Sequence, residues 1–353
     1  MRDFSYDALE DRTWSNEIVS LVAQIHEYKG KQERFLRQKP VALDRLVEIA
    51  RIQSTEGSNS IEGIRTTAPR LRQLIADKTT PRNRDEQEIL GYRNVLDLIH
   101  ESYEYIPVQP NYILQLHRDL LRYTTLSFGG RFKSAPNEID AILPDGSRAT
   151  LFVPLAPYEV PEAMQHLCNA LEHALAKSTI DPLILIPCFI SDFLCIHPFE
   201  DGNGRMSRLL TLLLLYRSGY MVGRYISVEK AIADTKDAYY DALEKSDIGW
   251  HEGKNDPKAF IEYLLRIILS CYRELDQRIS LAETSGAKST SYDIVFAYAK
   301  RTIGPFSKRD ALEACPSLGS SSIESALKRL VENGLLKRIG SGRKTRYVRA
   351  DAN

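Results

Sequence analysis

The stretch His197-Pro198-Phe199-Glu200-Asp201-Gly202-Asn203-Gly204-Arg205-Met206-Ser207-Arg208 decides how this chain is read. Two apolar runs flank it, Ile184 to Ile196 and Met206 to Leu215, and their length and leucine content predict buried helices. The stretch is therefore expected as a loop between two core helices. Gly202 and Gly204 let the backbone take positive φ and approach a ligand closely, and Asn203 tolerates the left-handed region. Backbone amides at the start of the second helix then point outward at the positive end of its dipole, an arrangement that binds anions. Arg205 and Arg208, three apart, share a face of that helix, and guanidinium groups hold phosphates by forked hydrogen bonds. Asp201 beside the cradle is the expected ligand of Mg²⁺, which usually takes one or two carboxylates plus phosphates. His197 is the one side chain in the stretch with an ordinary pKa near neutrality, so it is the expected base for an attacking hydroxyl. The set suits a nucleoside triphosphate better than a structural turn.

The same residues resemble the Fic-family motif His-Pro-Phe-x-Asp-Gly-Asn-Gly-Arg-x-x-Arg at every defined position. The resemblance implies a mainly α-helical core that binds ATP with Mg²⁺ and transfers AMP to a Ser, Thr or Tyr hydroxyl of a protein target or of the chain itself. It gives His197 the deprotonation of that hydroxyl and Asp201 the metal. Asn203 with the neighbouring amides of Gly202 and Gly204 would hold the α-phosphate, Arg205 the β-phosphate side and Arg208 the γ-phosphate.

Ser58-Asn59-Ser60-Ile61-Glu62-Gly63 is similar to the pattern Ser/Thr-x-x-x-Glu-Gly/Asn of Fic inhibitory helices. Ser58 and Glu62 are four apart on one helical face, and Gly63 suits a helix end. The resemblance pairs Glu62 with Arg208 and keeps the γ-phosphate out of its productive pose. Two other activities stay open at this stage. One is removal of AMP from a modified protein, with Glu62 positioning the water. The other is a nucleotide-sensing regulator that binds DNA. The resemblance also implies a homodimer.

Composition fits a soluble protein of the cytosol. The 353 residues are 43% hydrophobic, and 47 Lys and Arg balance 47 Asp and Glu, so no global charge draws the chain to nucleic acid or membrane. Cys168, Cys188, Cys195, Cys271 and Cys315 form no CxxC and read as reduced core thiols. The first ten residues lack the apolar core of a signal peptide, and no run reaches membrane-spanning length.

Apolar spacing predicts helices over Trp14–Gln38, Ala42–Glu62, Thr67–Asp77, Arg84–Ser102, Pro110–Arg122, Val160–Ala176, Asp181–Ile196 and Arg205–Ser218. Asn137 to Pro154 alternates around Asp145-Gly146, a hairpin signal, and resembles the Fic flap that pairs with a target segment. Tyr239-Tyr240 reads as plain helix surface, and His117, His166 and His173 as packed or solvated.

The polar stretch 282–291 reads as a linker. Residues 289–353 then hold five Lys and seven Arg against six Asp and Glu, a net +6, which leaves −6 for residues 1–288. Helices are expected over Tyr292–Lys300, Lys308–Ala314 and Ser321–Asn333, followed by strands Leu335–Ile339 and Arg346–Val348 around Gly340-Ser341-Gly342-Arg343-Lys344. This resembles a winged helix-turn-helix, a module that binds DNA or docks proteins. The expected organisation is an N-terminal helical region with the inhibitory helix at 1–108, a Fic core with supporting helices at 109–281, the linker, and a winged-helix domain at 292–353.

Overall fold

The computed structural model describes residues 2, 4–36, 40–142, 148–284, 290–302, 304–315, 318–342 and 345–350. In chain order the helices before the flap are α1 (Asn16–Leu36), α2 (Pro40–Ile61), α3 (Ala68–Ile75), α4 (Arg84–Ser102) and α5 (Pro110–Leu120). The strands β1 (Ile139–Ile142) and β2 (Arg148–Phe152) follow, then α6 (Val160–Lys177), α7 (Pro182–Ile196) and α8 (Asn203–Arg217). Next come α9 (Val228–Asp234), α10 (Lys236–Asp247), α11 (Lys258–Thr284), α12 (Ser291–Arg301), α13 (Lys308–Ala314), α14 (Ser320–Glu332), β3 (Leu336–Ile339) and β4 (Arg346–Arg349). The fold is mainly helical, as the sequence predicts. The chain divides into two compact units, residues 1–27 with 50–271, and residues 28–49 with 272–353.

The first unit is built around α7 and α8. Both are buried on nearly every face, from Leu183 to Ile196 and from Arg205 to Tyr216, which is why neither shows the one-sided apolar stripe of a surface helix. α7 starts sharply because Asp181 caps it, accepting from Leu183 N at 2.9 Å, with Pro182 at the first helical position. It packs against α6 and α8, and α8 packs in turn on α4. α9, α10 and the part of α11 up to Cys271 complete the unit. The sequence reading did not single out these three elements. The first two are short, so no long periodic signal develops in them, whereas α11 spans 27 residues.

β1 and β2 form the expected antiparallel hairpin, with Ile142 opposite Arg148 and a register irregularity between Ile139 and Asp140. The Asp145-Gly146 turn lies outside the described residues. Phe152 anchors the end of β2, edge-on to Trp250 at 6.0 Å and stacked on His251 at 5.3 Å. Leu151 and Val153 remain 44% and 55% exposed, large for apolar side chains on a two-stranded element.

In the second unit α12, α13 and α14 pack around Val295, Ala299, Ala311, Ile323, Leu327 and Leu330. Thr290 and Ser307 cap α12 and α13 with reciprocal capping boxes. β3 and β4 pair antiparallel, Leu336 opposite Arg349, and Phe306 bridges to Tyr347 with hydrogen bonds of 2.9 and 2.7 Å. The three helices and terminal hairpin therefore stand where the sequence placed them. Residues 285–289 of the expected linker and Arg343 and Lys344 of the expected wing lie outside the described residues. The exposed side of α14 carries mixed charge, with Glu324 paired to Lys308 at 2.5 Å and Lys328 near Glu332 at 3.8 Å. The five cysteines are buried, and none of them forms a disulfide. Among the described residues no helix is long and apolar enough to cross a membrane.

Candidate active site

α7 ends at His197, which takes the left-handed conformation at φ 50° and ψ 62° while its N–H still donates to Phe193 O at 3.0 Å. For a non-glycine residue this conformation is strained, and it turns the chain abruptly into the loop. The imidazole Nδ1 lies 3.1 Å from Leu194 O. A carbonyl only accepts, so Nδ1 carries the proton and Nε2 presents its lone pair. Burial pushes the pKa of His197 down to about 4, helped by the Lys133 charge and opposed by the Leu194 bond and by Glu62. The ring is thus neutral at pH 7, ready to take a proton.

The loop is closed by Asn203. Its Oδ1 accepts from Phe199 N at 2.9 Å and its Nδ2 donates to Phe199 O at 2.7 Å. The side chain was expected on the α-phosphate; its amide instead clasps the loop, which leaves the backbone to meet a ligand. Gly202 takes φ 87°, and α8 begins at Asn203, two residues earlier than the apolar pattern indicated. The N–H groups of Asn203, Gly204 and Arg205 have no helical carbonyl behind them and face the positive end of the α8 dipole. Met206 N is the first to close a helical bond, to Gly202 O at 2.9 Å.

A carboxylate stands in front of this cradle. A Cβ on Gly204 would overlap Glu62 Oε1 and come within 3.3 Å of an Arg208 guanidinium nitrogen. Glu62 lies just beyond the end of α2, followed by Gly63 at φ 79°, the left-handed residue of a glycine-terminated helix. Glu62 Oε1 accepts from Arg208 Nη2 at 2.6 Å. Arg208 also donates from Nε to Ser58 Oγ at 2.8 Å and from Nη2 to Ser58 O at 3.0 Å. Burial alone would depress the proton affinity of this guanidinium, but the Glu62 charge raises it above its ordinary value, with smaller contributions from Tyr239 and Tyr92. Arg208 is 2% exposed and Glu62 32%. The structure thus brings together Ser58, Glu62 and Arg208, residues separated by about 150 positions in the chain.

Arg205, expected on the β-phosphate side, is buried between two carboxylates. It is 1% exposed, with Nη1 2.5 Å from Glu88 Oε2 and Nη2 3.2 Å from Asp201 Oδ1. Its Nε and Nη1 make no well-angled hydrogen bond among the described residues, so the Glu88 approach is a charge contact. Glu88, itself buried, also accepts from Arg84 Nε at 2.7 Å, and Arg84 reaches Asp201 Oδ2 at 3.2 Å. Arg205 therefore braces α8 against α4 and holds one edge of Asp201. Asp201 is 37% exposed and holds both arginines only at 3.2 Å. Among the described residues no group of three or more Asp, Glu, His or Cys is arranged to hold a metal. A cation that takes one carboxylate and completes its shell with phosphate oxygens and water fits Asp201, and Mg²⁺ behaves in this way.

Several supporting residues were not visible in the motif. His117 on α5 stacks on Phe199 with ring centroids 3.7 Å apart. Its Nδ1 accepts from Gly130 N at 3.1 Å, so the proton is on Nε2, which donates to Asp201 O at 3.0 Å. It is a packed strut, in line with its sequence reading. Tyr239 was read as helix surface; it is 4% exposed, with Ser207 and Arg208 beside it. His166 and His173 remain solvated. Glu229 is buried under α2, accepting from Ser54 Oγ at 2.7 Å and Tyr92 OH at 3.0 Å, and burial raises its pKa. None of these contacts is local in sequence, so no short pattern announces them.

The Fic/DOC family profile matches residues 107–215, a span that runs from α5 to the end of α8 and contains the loop. Over this span the chain is similar to Fic domains. The chain is 30% identical over 205 residues to "Protein adenylyltransferase Fic" of Drosophila sechellia, covering 56% of this chain and 37% of that protein. It is 25% identical over 213 residues to "Protein adenylyltransferase fic-1" of Caenorhabditis elegans, covering 60% of this chain and 36% of that protein. It therefore spans little more than a third of the length of these relatives. Among solved structures, a Fic family protein from Desulfovibrio desulfuricans G20 superposes with a TM-score of 0.61 at 23% identity, covering 97% of this chain and 98% of that one. The likeness in fold extends well beyond the span that the profile matches.

Proposed function

We propose that this chain is an autoinhibited protein adenylyltransferase that moves AMP from ATP to a Ser, Thr or Tyr hydroxyl of a protein, itself included. The observation that carries the proposal is the Glu62 carboxylate, bonded to Arg208 at 2.6 Å and packed against Gly204 at the α8 N-terminus. A helix N-terminus with a buried guanidinium is a site for anionic oxygen, and the chain fills it with one of its own. The names of its relatives support the reaction class.

In this reaction the hydroxyl oxygen attacks the α-phosphorus, its proton passes to His197 Nε2, and the bond to the α–β bridging oxygen breaks to release pyrophosphate. His197 needs no tautomer change, because the Leu194 carbonyl already fixes the proton on Nδ1. The α8 amides hold phosphate oxygens as charge shifts toward the leaving group. Mg²⁺ held by Asp201 would supply charge neutralisation there. Arg208, once released by Glu62, is placed to take the terminal phosphate, and Arg205 with Glu88 keeps the loop and Asp201 in place.

The test is incorporation of label from ATP marked at the α-phosphate, with Mg²⁺ and the chain as its own acceptor. Label should rise in Glu62→Gly and vanish when His197→Ala is added. No label in any variant would reject transfer and direct attention to AMP removal or to a nucleotide sensor without turnover.

A further inference from the structure

His197 is held in a strained backbone conformation, and the strain has to be opposed by something other than the helix it ends. The flanking carbonyls show what opposes it. Lys133 N donates to Pro198 O at 2.8 Å, and Lys133 Nζ lies 3.4 Å from Ile196 O. The same ammonium donates to Asn137 Oδ1 at 2.6 Å, and Asn137 Nδ2 donates to Phe199 O at 3.1 Å. One residue thus grips the carbonyls on both sides of His197, and its partner grips the next one. Asn137 lies two residues before β1, so this clamp also ties the catalytic loop to the root of the hairpin.

Lys133 is 3% exposed, and among the described residues no carboxylate pairs with it. An ammonium buried without a counter-ion is costly, and burial lowers its pKa to about 8. A purely structural clamp would be served by a neutral donor at less cost, so the charge itself calls for a role.

We infer that Lys133 is a positioning residue for His197, locking the left-handed turn that aims the imidazole while placing a positive charge beside the ring. The charged groups that act on the ring are Lys133 from the segment before β1 and Glu62 from the end of α2. Arg205 and Arg208 on α8 face their own carboxylates. With Glu62 removed, Lys133 is left as the charge that tunes the base, adding to burial in disfavouring the protonated imidazole.

The kinetic arm of the test rests on the transferase reading, and the spectroscopic arm does not. In the Glu62→Gly background, Lys133→Met, Lys133→Gln and Lys133→Arg are compared by NMR titration of the His197 imidazole and by kcat and KM for ATP across pH. Lys133→Met should lower kcat about tenfold or more, as expected for a misplaced catalytic group, with KM for ATP little changed. Its His197 should titrate at higher pH, moving the acid limb of the rate profile the same way. Lys133→Gln keeps donors and loses the charge, so it should show the same titration shift with a smaller loss of rate. It decides the matter if the Met variant does not fold. Lys133→Arg should restore the titration. An unmoved His197 titration in the neutral variants overturns the inference, and so does a rise in KM for ATP at constant kcat, which would make Lys133 a nucleotide contact. If Glu62→Gly itself transfers no AMP, the transferase reading fails while the His197 titration still judges Lys133.

Discussion

Removing Glu62 should destabilise the chain and make its stability depend on nucleotide. Arg208 is 2% exposed, and Glu62→Gly strips it of the one carboxylate bonded to it among the described residues while leaving the Ser58 hydroxyl and carbonyl at 2.8 and 3.0 Å. Stranding one member of a fully buried pair costs roughly 3–5 kcal/mol. Here Glu62 is 32% exposed, so part of the pair's strength is already screened by water, and about 2 kcal/mol is the expected loss. For a unit of this size that lowers Tm by roughly 4–8 °C. ATP should then restore what Glu62 supplied. At a concentration near 100 times Kd a ligand adds about 2.7 kcal/mol, and the variant should collect all of it, because its arginine is open. In the wild type Glu62 competes for the same guanidinium, so the ATP-induced shift should be smaller. A thermal melt followed by fluorescence, with and without ATP and Mg²⁺, reads both effects. A control comes from Arg208→Met, in which no buried charge remains to be stranded, so adding Glu62→Gly should cost close to nothing. Equal melting temperatures for wild type and Glu62→Gly, with equal ATP shifts, would refute the claim that this pair occupies a phosphate subsite.

Three further outcomes can be checked. Gly57 lies where a Cβ would meet Lys230 N and the Glu229 backbone at 2.8–2.9 Å, so Gly57→Ala should push α2 off α9 and raise basal self-labelling toward that of Glu62→Gly without altering the pair; unchanged labelling in a folded variant would show that α2 is held elsewhere. Asn203→Ala breaks both bonds that close the loop and should cost roughly 2–4 kcal/mol in urea unfolding, together with most of the transfer; full stability would mean that the loop is held without its clasp. His100 lies against Tyr216 OH at 3.2 Å, and burial depresses its pKa to about 3, so below about pH 6.5 the unfolded chain binds a proton that the fold refuses. Its contribution is fully present above that pH and lost on acidification, and the stability of wild type minus that of His100→Gln should fall by up to ~1.4 kcal/mol per pH unit between pH 6 and 4; a difference flat with pH would show that His100 is not held neutral.

The sequence made local features legible and left contacts between distant segments dark, and the loop shows why. Gly202 at φ 87° and the buried lengths of α7 and α8 follow from backbone sterics and apolar content within twenty residues. Glu62 and Arg208 were joined across 146 positions only because both sit in patterns that resemble a known family. Where a residue's type allows several tasks, its neighbours decide among them. Arg205 was read as a phosphate ligand because guanidinium groups bind phosphate, and its charge contact with Glu88, buried on α4, was not visible in the motif. Asn203 was read as a ligand for its amide, but that amide is used on Phe199. Lys133, His117 and Glu229 carry no pattern at all, since each acts on a segment that is near only after folding. The site therefore separates into two layers. The groups proposed to face the ligand, His197, Asp201, Arg208 and the α8 amides, have to lie close together on one loop and helix, and so they leave a motif. Groups that hold those in place can come from any element that packs behind them, and only the fold reveals which ones do.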